Sequence, residues 1–272
     1  MITSTGNSRI RAVASLLKRR ADRMKQNAFV IEGLRMVREA PADSIRELYL
    51  TEAFLDRLND RDRQRIDSIR CEHILVTPEV MQRLSDTMHP QGILAVVSLC
   101  AEDPEAVFGS DQSPLVIVTE NLQDPGNLGT IFRAGEGAGV TGLLLVGDTA
   151  DPYNPKVVRG TMGSIFRVPF ARAANAEEAA AILRKRKIIS YAADLQADCS
   201  YEDCDYRPGT AFWIGNEGAG LTEAALAQAD RRIFIPMSGE VESLNAGVSA
   251  SVLAFEAARQ RRQRPDRSAS KS

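Results

Sequence analysis

The sequence has few residues of the kinds that hold metal ions or build disulfide frameworks. Its 272 residues include four cysteines and two histidines, and no two cysteines form a C-x-x-C pair. Structural zinc sites take four such ligands at short spacings. We therefore expect no metal site and interpret the cysteines as reduced thiols.

Long apolar runs are also missing. No stretch approaches the ~20 apolar residues that span a bilayer, and the amino terminus lacks the pattern of a cleaved secretory signal. We expect a cytoplasmic protein that does not associate with membranes. With 44% hydrophobic residues, the chain can still bury the cores of one large domain or two ordinary ones.

A strong net charge is the third absence. The 34 Lys and Arg residues nearly balance the 36 Asp and Glu residues, so the net charge of -2 does not favour a nucleic-acid partner. The first 40 residues differ, because they hold nine basic and three acidic residues. Such a local excess can neutralise phosphates, but it is equally typical of a solvated amphipathic helix.

The first hundred residues alternate short helical and strand patterns. The apolar spacing predicts helices over residues 9–25, 32–40 and 53–69, and strands over 29–31, 45–50, 73–76 and 93–99. Residues 101–114 combine Pro, Gly, Ser and acidic residues without periodicity, which is typical of a linker. We therefore predict a small α/β domain at residues 1–100 and a linker at 101–114.

The second half repeats a strand-helix-strand order. Apolar runs at 115–119, 142–146, 188–192, 210–214 and 233–235 alternate with helical patterns at 128–138, 177–186, 222–228 and 247–262. Continuous apolar strands separated by helices predict an α/β domain at 115–262, with a parallel sheet covered on both faces. The polar residues 263–272 are predicted to be a disordered tail.

Glycine-rich segments in such a sheet raise the alternative of a dinucleotide-binding oxidoreductase. Gly135, Gly137 and Gly139 have the wrong spacing and fall near the end of a helix. The loop 215–220 does follow a strand, but it reads G-x-x-G-x-G. It also contains Glu217, whose carboxylate would repel a pyrophosphate. This alternative is therefore disfavoured.

Three loops that follow strands carry the informative polar residues. The first contains Asn127, which could cap a helix, and Arg133, which could hold a phosphate. The second contains Glu217, and the third places Ser243 and Asn245 before the last helix. Each residue alone is more simply interpreted as a cap, a turn carboxylate or a solvated cation. Together they follow strands, where open α/β sheets bind their ligands.

The same three segments resemble the ordered motifs of a known family. They read N-L-G-T-I-F-R-A-G-E-G-A-G at 127–139, I-G-N-E-G-A-G-L at 214–221 and I-P-M-S-G-E-V-E-S-L-N-A-G-V-S at 235–249. This pattern resembles the SpoU/TrmH branch of the SPOUT RNA methyltransferases over about residues 115–258. Three motifs in the correct order are far more specific than a single glycine loop.

The amino-terminal part resembles the substrate-binding domain that is often attached to this family. The resemblance rests on F-V-I-E-G at 29–33 and Q-G-I-L-A-V-V at 91–97, and it implies a fold similar to kink-turn-binding ribosomal proteins. It favours large-subunit (23S) ribosomal RNA over transfer RNA as the substrate, with transfer RNA kept as the alternative. A non-catalytic RNA-binding protein that retains the family fold is a second alternative.

The resemblance implies an enzyme that uses S-adenosylmethionine (SAM) to methylate a ribose 2'-hydroxyl in structured RNA. It also implies a deep trefoil knot in the sheet and a homodimer across which the active site is completed. The implied catalytic residues are Asn127, Arg133, Glu217, Ser243 and Asn245, with Arg133 at the target phosphate. The implied SAM-binding residues are Leu195, Gly215, Asn216, Glu217, Ile235, Met237 and Leu244. The candidate RNA-binding residues are Arg9, Arg11, Lys18, Arg19, Arg20 and Arg159.

The third motif departs from the family pattern. It reads S-L-N-A-G-V-S where the family usually has S-L-N-V-S, so Ala246 and Gly247 precede Val248. This departure predicts a different start of the last helix. It leaves the placement of Asn245 less secure than that of Glu217.

Overall fold

The computed structural model describes residues 1–110, 112–239, 241 and 243–263. Within it, the chain divides into two compact units. The first unit consists of Met1–Ala101 and Asp151–Arg167, and the second of Glu102–Ala150 and the chain from Val168 onward. Each unit is built around its own sheet.

Helices and strands alternate along both units. The helices are α1 Ser8–Lys18, α2 Arg20–Gln26, α3 Leu34–Glu39, α4 Glu52–Leu55, α5 Asp60–Asp67, α6 Pro78–Leu84, α7 Pro125–Ala138, α8 Pro155–Thr161, α9 Ala176–Lys185, α10 Glu223–Gln228 and α11 Ala246–Arg262. The strands are β1 Ala28–Glu32, β2 Ile45–Leu50, β3 Glu72–Leu75, β4 Ile93–Ser98, β5 Leu115–Glu120, β6 Gly142–Val146, β7 Phe170–Ala173, β8 Ile189–Ala193, β9 Thr210–Ile214 and β10 Arg231–Ile233.

The first unit has a mixed four-stranded sheet in the order β1-β4-β2-β3. Strand β4 pairs antiparallel with β1 and β2, whereas β2 and β3 are parallel. Helix α1 buries Ile10, Val13 and Leu16 in the same core as Tyr49 and Leu94 of the sheet. The sequence predicts this α/β domain and its strands.

Two long helices predicted in this unit are each divided in the structure. The predicted helix over 9–25 breaks at Arg19, whose backbone is extended (φ -122, ψ 116). The predicted helix over 53–69 becomes α4 and α5, because the Asn59 side chain accepts a hydrogen bond from the Asp62 N–H and so starts a new helix. Apolar periodicity predicts helical character but not these interruptions.

Residues 151–167 belong to the first unit, although they follow β6 of the second unit in sequence. The Tyr153 ring centroid lies 4.9 Å from that of Phe29 in β1. The Arg23 and Asp151 side chains form an ion pair with only 5% and 11% of their surfaces exposed. The sequence pattern assigns this segment to the SAM-binding domain, but its buried contacts are made with the amino-terminal sheet.

The second unit has a six-stranded parallel sheet in the order β10-β8-β9-β5-β6-β7. Every residue of β5, β6 and β9 is buried, as their continuous apolar runs predict. From β5 the chain continues to β6 and β7 on one side and later returns to β9 on the other. The loops after β5 and β9 therefore lie side by side at the point where strand order reverses, which is where such sheets bind ligands.

Helices α7 and α11 pack against each other in this unit. Helix α11 begins at Ala246 directly after Asn245. A Cβ built on Gly247 would lie 3.2 Å from the Thr130 Cβ of α7, so a glycine here lets the two helices approach closely. The Ala-Gly pair that departs from the family motif therefore forms the first turn of α11.

The predicted linker at 101–114 differs from the structure in its packing. Its residues from Glu102 onward lie in the second unit, and a 3-10 turn at Ala106–Phe108 buries Val107 and Phe108 in that core. A Cβ on Gly142 would lie 2.6 Å from the Val107 backbone, so the segment presses against β6. Composition indicates a loop here but not the two apolar side chains that anchor it.

None of the helices in the described part of the chain is both long and apolar enough to cross a membrane. The same residues include no group of three or more His, Cys, Asp or Glu side chains that could hold a metal ion. The predicted disordered tail lies outside the described residues, apart from Gln263.

Candidate active site

A cavity opens beside the carboxyl ends of β8, β9 and β10 in the second unit. Its walls come from the residues that follow these strands and from the start of α11. Including its open mouth, it has about 780 Å³ of empty space. The walls themselves enclose about 170 Å³ of this space.

All of the residues predicted to bind SAM line this one cavity, together with the predicted catalytic residue Ser243. The lining residues from that prediction are Leu195, Gly215, Asn216, Glu217, Ile235, Met237 and Leu244. The structure thus brings together three loops that are far apart in the sequence. Their individual roles toward a cofactor stay predictions.

The glycine loop after β9 folds back on itself. Asn216 and Gly220 exchange backbone hydrogen bonds of 2.9 and 3.0 Å. A Cβ on Gly215 would lie 2.2 Å from the Gly220 carbonyl carbon, so only glycine fits at that position. The Asn216 side chain closes the loop, since its Oδ1 accepts from the Gly218 N–H and its Nδ2 donates to the Asn121 carbonyl. The Asn216 amide is therefore used within the protein, and a ligand would meet the loop backbone.

A chain of hydrogen bonds joins the first turn of α7, the loop after β9 and the cap of α11. The Asn127 Nδ2 donates to the Glu217 Oε1 at 2.7 Å, and the Asn245 Nδ2 donates to the Asn127 Oδ1 at 2.7 Å. The Asn245 Oδ1 in turn accepts from the N–H groups of Gly247 and Val248 at the start of α11. We call Glu217, Asn127 and Asn245 the amide relay.

The direction of the amide relay follows from the charge of Glu217. An ionised carboxylate only accepts hydrogen bonds, so Asn127 must turn its NH₂ group toward Glu217 and its oxygen toward Asn245. Partial burial opposes the charged form of Glu217. Hydrogen bonds from Asn127 and from the backbone N–H groups of Glu217, Asp124 and Gln123 outweigh it, and the pKa of Glu217 falls below its ordinary value. The carboxylate therefore stays charged at neutral pH.

The prediction that Asn127 could cap a helix is wrong. The cap of α7 is Asp124, whose side chain accepts hydrogen bonds from the N–H groups of Gly126 and Asn127. Pro125 follows as the first helical residue, a position where its missing N–H is not needed. Asn127 is the third residue of α7, within its first turn, and is only 7% exposed. Asn245, by contrast, does cap α11 and also belongs to the amide relay.

Arg133 is not part of the cavity wall. It lies on the exposed face of α7, and its side chain has no hydrogen-bond or ion-pair partner among the described residues. Of the five predicted catalytic residues, the structure therefore joins Asn127, Glu217 and Asn245 by direct hydrogen bonds. Ser243 borders the same cavity, and Arg133 is left outside it.

The predicted RNA-binding cations fall into two groups. Arg9 donates hydrogen bonds to Glu47 and Glu72, and Arg159 donates to Asp86, so neither charge is free. The other four are exposed on α1, on α2 or between them, without an acidic partner among the residues that the structure describes. We call these four the free cations, and they are Arg11, Lys18, Arg19 and Arg20.

Sequence reasoning missed two residues that shape the cavity. Asp194 lines it directly after β8, and it could have been found by the rule that selected the other loops, since it is a polar residue at a strand's carboxyl end. Asn121 follows β5 with a left-handed backbone (φ 51). It accepts from Asn216 through its carbonyl oxygen and from the Asp148 N–H through its side chain. No local pattern indicates that role.

Comparison with known proteins identifies two matching families. The SpoU rRNA methylase family matches residues 114–255, and the MRM3-like substrate binding domain matches residues 7–95. These ranges cover the three loops of the cavity and most of the first unit.

Individual relatives match along nearly the whole chain. The chain is 30% identical to the 23S rRNA (uridine(2479)-2'-O)-methyltransferase of Streptomyces viridochromogenes, over 94% of this chain and 91% of that protein. It is 31% identical to the 23S rRNA (guanosine(2553)-2'-O)-methyltransferase RlmP of Bacillus subtilis, over 88% and 92%. The crystal structure of the SpoU methyltransferase AviRb from Streptomyces viridochromogenes with the cofactor AdoMet superposes with a TM-score of 0.86, at 30% identity. It covers 95% of this chain and all of that one.

Proposed function

The chain belongs to the SpoU rRNA methylase family, and from this premise we propose that it transfers a methyl group from SAM to a ribose 2'-hydroxyl of 23S ribosomal RNA. The observation that carries the proposal is the cavity at the sheet edge. There the second and third family motifs form the walls, and the amide relay joins them to the first motif.

The cavity has the chemistry that SAM needs. Leu195, Ile235, Met237 and Leu244 supply apolar walls suited to the faces of an adenine ring. The glycine loop offers backbone groups for its polar edge, because the loop has few side chains to block them. AdoMet is bound in the related structure of the Streptomyces viridochromogenes enzyme. Bound here, SAM would supply an electrophilic methyl group on a sulfonium sulfur.

The protein's own residues then have to position the ribose and help its hydroxyl lose a proton. Arginine is too basic to accept that proton at neutral pH. We assign Arg133 to the phosphate of the target nucleotide, where its charge stabilises the developing oxyanion. The amide relay does not move a proton in this scheme. It fixes the positions of the three loops on which the ribose and the methyl donor meet.

We also propose that the enzyme acts as a homodimer. Arg133 does not reach the cavity of its own chain, so in this proposal Arg133 of the partner subunit completes the site. The exposed faces of α7 and α11 support a protein contact there. Val248 and Phe255 lie seven residues apart on α11 with 43% and 46% of their surfaces exposed. Phe255→Glu should convert the dimer to monomers in analytical ultracentrifugation and abolish activity.

The first unit would select the RNA. It matches a substrate-binding domain, and the free cations give it a surface for phosphates. The catalytic roles of Asn127, Arg133, Glu217, Ser243 and Asn245, the trefoil knot and the domain limits of 1–100, 101–114 and 115–262 stay parts of this proposal. A cytoplasmic location completes it, in keeping with four cysteines that form no disulfide.

The test is a methyl-transfer assay with purified protein and SAM labelled in its methyl group. Label should enter 23S ribosomal RNA and not transfer RNA, and reverse transcription sensitive to ribose methylation should map it to one nucleotide. Labelled transfer RNA would overturn the substrate. SAM binding without any label transfer would instead indicate the non-catalytic RNA-binding alternative.

A further inference from the structure

The charged side chains among the described lining residues of the cavity are both negative. Two of its lining residues, Asp194 and Glu217, carry carboxylates, and none of the described lining residues is Lys, Arg or His. Glu217 directs its oxygens toward Asn127 and the backbone of the first loop. The charge of Glu217 therefore holds loops of the protein together. The Asp194 carboxylate has fewer donors and is not used in this way.

Asp194 is held at the cavity by its backbone. It follows the last residue of β8, and its N–H donates to the Ile233 carbonyl of the neighbouring strand at 2.9 Å. Its Oδ1 accepts one hydrogen bond, from the Gln196 N–H at 3.0 Å. The Asp194 side chain is 14% exposed.

One cation lies near Asp194 but neutralises it poorly. The Arg232 Nη1 is 3.6 Å from the Asp194 Oδ2, which is longer than a hydrogen bond. The Arg232 side chain is also 45% exposed, so water and salt screen its charge. A net negative field therefore remains on the cavity side of Asp194.

The substrate and product of the proposed reaction differ in charge at one atom. When the ribose oxygen bonds to the methyl carbon, the carbon-sulfur bond breaks and its electron pair stays on sulfur. The hydroxyl proton leaves to solvent. The sulfonium thus becomes an uncharged thioether, and S-adenosylhomocysteine carries one positive charge fewer than SAM.

We propose that Asp194 is a specificity-determining residue of the cofactor site, one that favours the cationic methyl donor over its uncharged product. The inference rests on the proposed function, because it takes SAM as the occupant. Its consequence is that methyl transfer itself weakens binding, so that spent cofactor leaves the site more readily than SAM. A carboxylate in a partly screened cavity should discriminate by roughly three- to tenfold.

The experiment compares the dissociation constants of SAM and S-adenosylhomocysteine by isothermal titration calorimetry, without RNA. Asp194→Asn keeps the shape and the acceptor for Gln196 but removes the charge. It should lower the ratio of the S-adenosylhomocysteine constant to the SAM constant by about three- to tenfold. The matched variant Arg232→Gln removes the nearby cation and should raise the same ratio. Increasing salt should lower the ratio in the unmodified protein.

The outcomes separate the inference from the function on which it rests. Equal weakening of both ligands by Asp194→Asn, or an unchanged ratio, would show a merely structural role and overturn the inference. If Asp194→Asn does not fold, the ratio in Arg232→Gln and its salt dependence decide, and no change in either overturns it. An unmodified protein that binds neither ligand would overturn the proposed function and this inference with it.

Discussion

The loops around the cavity and the free cations use their polar side chains in opposite ways. At the cavity and directly behind its loops, the amides of Asn127, Asn216 and Asn245 are hydrogen-bonded to other groups of the protein. The free cations and Arg133 have no such partners in the part of the chain that the structure describes. A site for a small ligand needs loops already held in place. A surface for phosphates needs charges that are not already neutralised.

The largest effect is expected at Arg133, an unpaired charge with a proposed role in catalysis. Arg133→Ala should lower the rate constant of methyl transfer by about 10²–10³-fold, because it removes the charge that stabilises the ribose oxyanion. SAM affinity, measured by calorimetry, should change less than about twofold, since Arg133 does not line the cavity. Arg133→Lys, which keeps the charge without the planar fork, should recover part of the rate. Undiminished turnover in the alanine variant would contradict the assignment.

A substitution at Gly215 tests whether SAM binding needs a cavity loop that is already held in place. In Gly215→Ala the new methyl group would meet the Gly220 backbone at 2.2 Å, so the loop must open and SAM affinity should fall by roughly tenfold or more. Gly6→Ala is the matched control, because its Cβ meets only the Ser4 Oγ, at an ordinary 3.5 Å. Equal SAM affinities in the two variants would mean that the folded-back loop is not needed for binding.

Substitutions in the amide relay should have smaller effects than those at Arg133 and Gly215, and they should act mainly on the stability of the protein. Asn127→Ala leaves the Asn245 amide without its acceptor and removes one of the two hydrogen bonds to the Glu217 Oε1. This should cost about 1–3 kcal/mol of unfolding free energy in a urea titration. Asn245→Asp distinguishes the role of Asn245 in the relay from its role as a helix cap. The carboxylate still caps α11 but no longer donates a hydrogen bond to Asn127. We expect it to weaken SAM binding with a smaller loss of stability. A stable Asn127→Ala protein would show that the relay is dispensable.

The smallest effect per residue is expected among the free cations. Changing Lys18, Arg19 and Arg20 together to Gln should weaken RNA binding and reduce the slope of log affinity against log salt by up to about three, while SAM binding is unchanged. Arg9→Gln probes a paired cation instead. It should cost at most about 1 kcal/mol of stability and leave the salt slope as it was. A lower slope in Arg9→Gln would mean that paired and free cations contact the RNA alike.

Sequence patterns predicted most of the regular structure where burial is continuous. The strands at 142–146 and 210–214 match the fully buried β6 and β9 to the residue. The strand at 45–50 also matches β2 to the residue, although Arg46 is exposed. Strand β7 was missed because it is short and follows Pro169, and its four residues include an Arg. Helix α6 was missed because Thr77 and Pro78 begin it in what looks like a turn.

The candidate site could be predicted as a set of residues but not as a set of contacts. Strand-end logic and the family motifs selected Asn127, Glu217 and Asn245. The hydrogen bonds that connect them join positions 90 and 118 residues apart, a separation that no local pattern reports. The sequence also could not decide between Asp124 and Asn127 as the cap of α7. The two lie three residues apart, and both residue types cap helices well.

The segment Asp151–Arg167 determines how the protein can be divided. Because it leaves the second unit and returns to it, the chain passes between the units three times, at 101–102, 150–151 and 167–168. A fragment beginning at Leu115 would carry Tyr153, Val157 and Val158 without the strands that bury them, and exposed apolar surface of this kind promotes aggregation. No single cut in the chain therefore separates the two units. An amino-terminal fragment ending at Ala101 would in turn lack the Tyr153 ring that packs against Phe29.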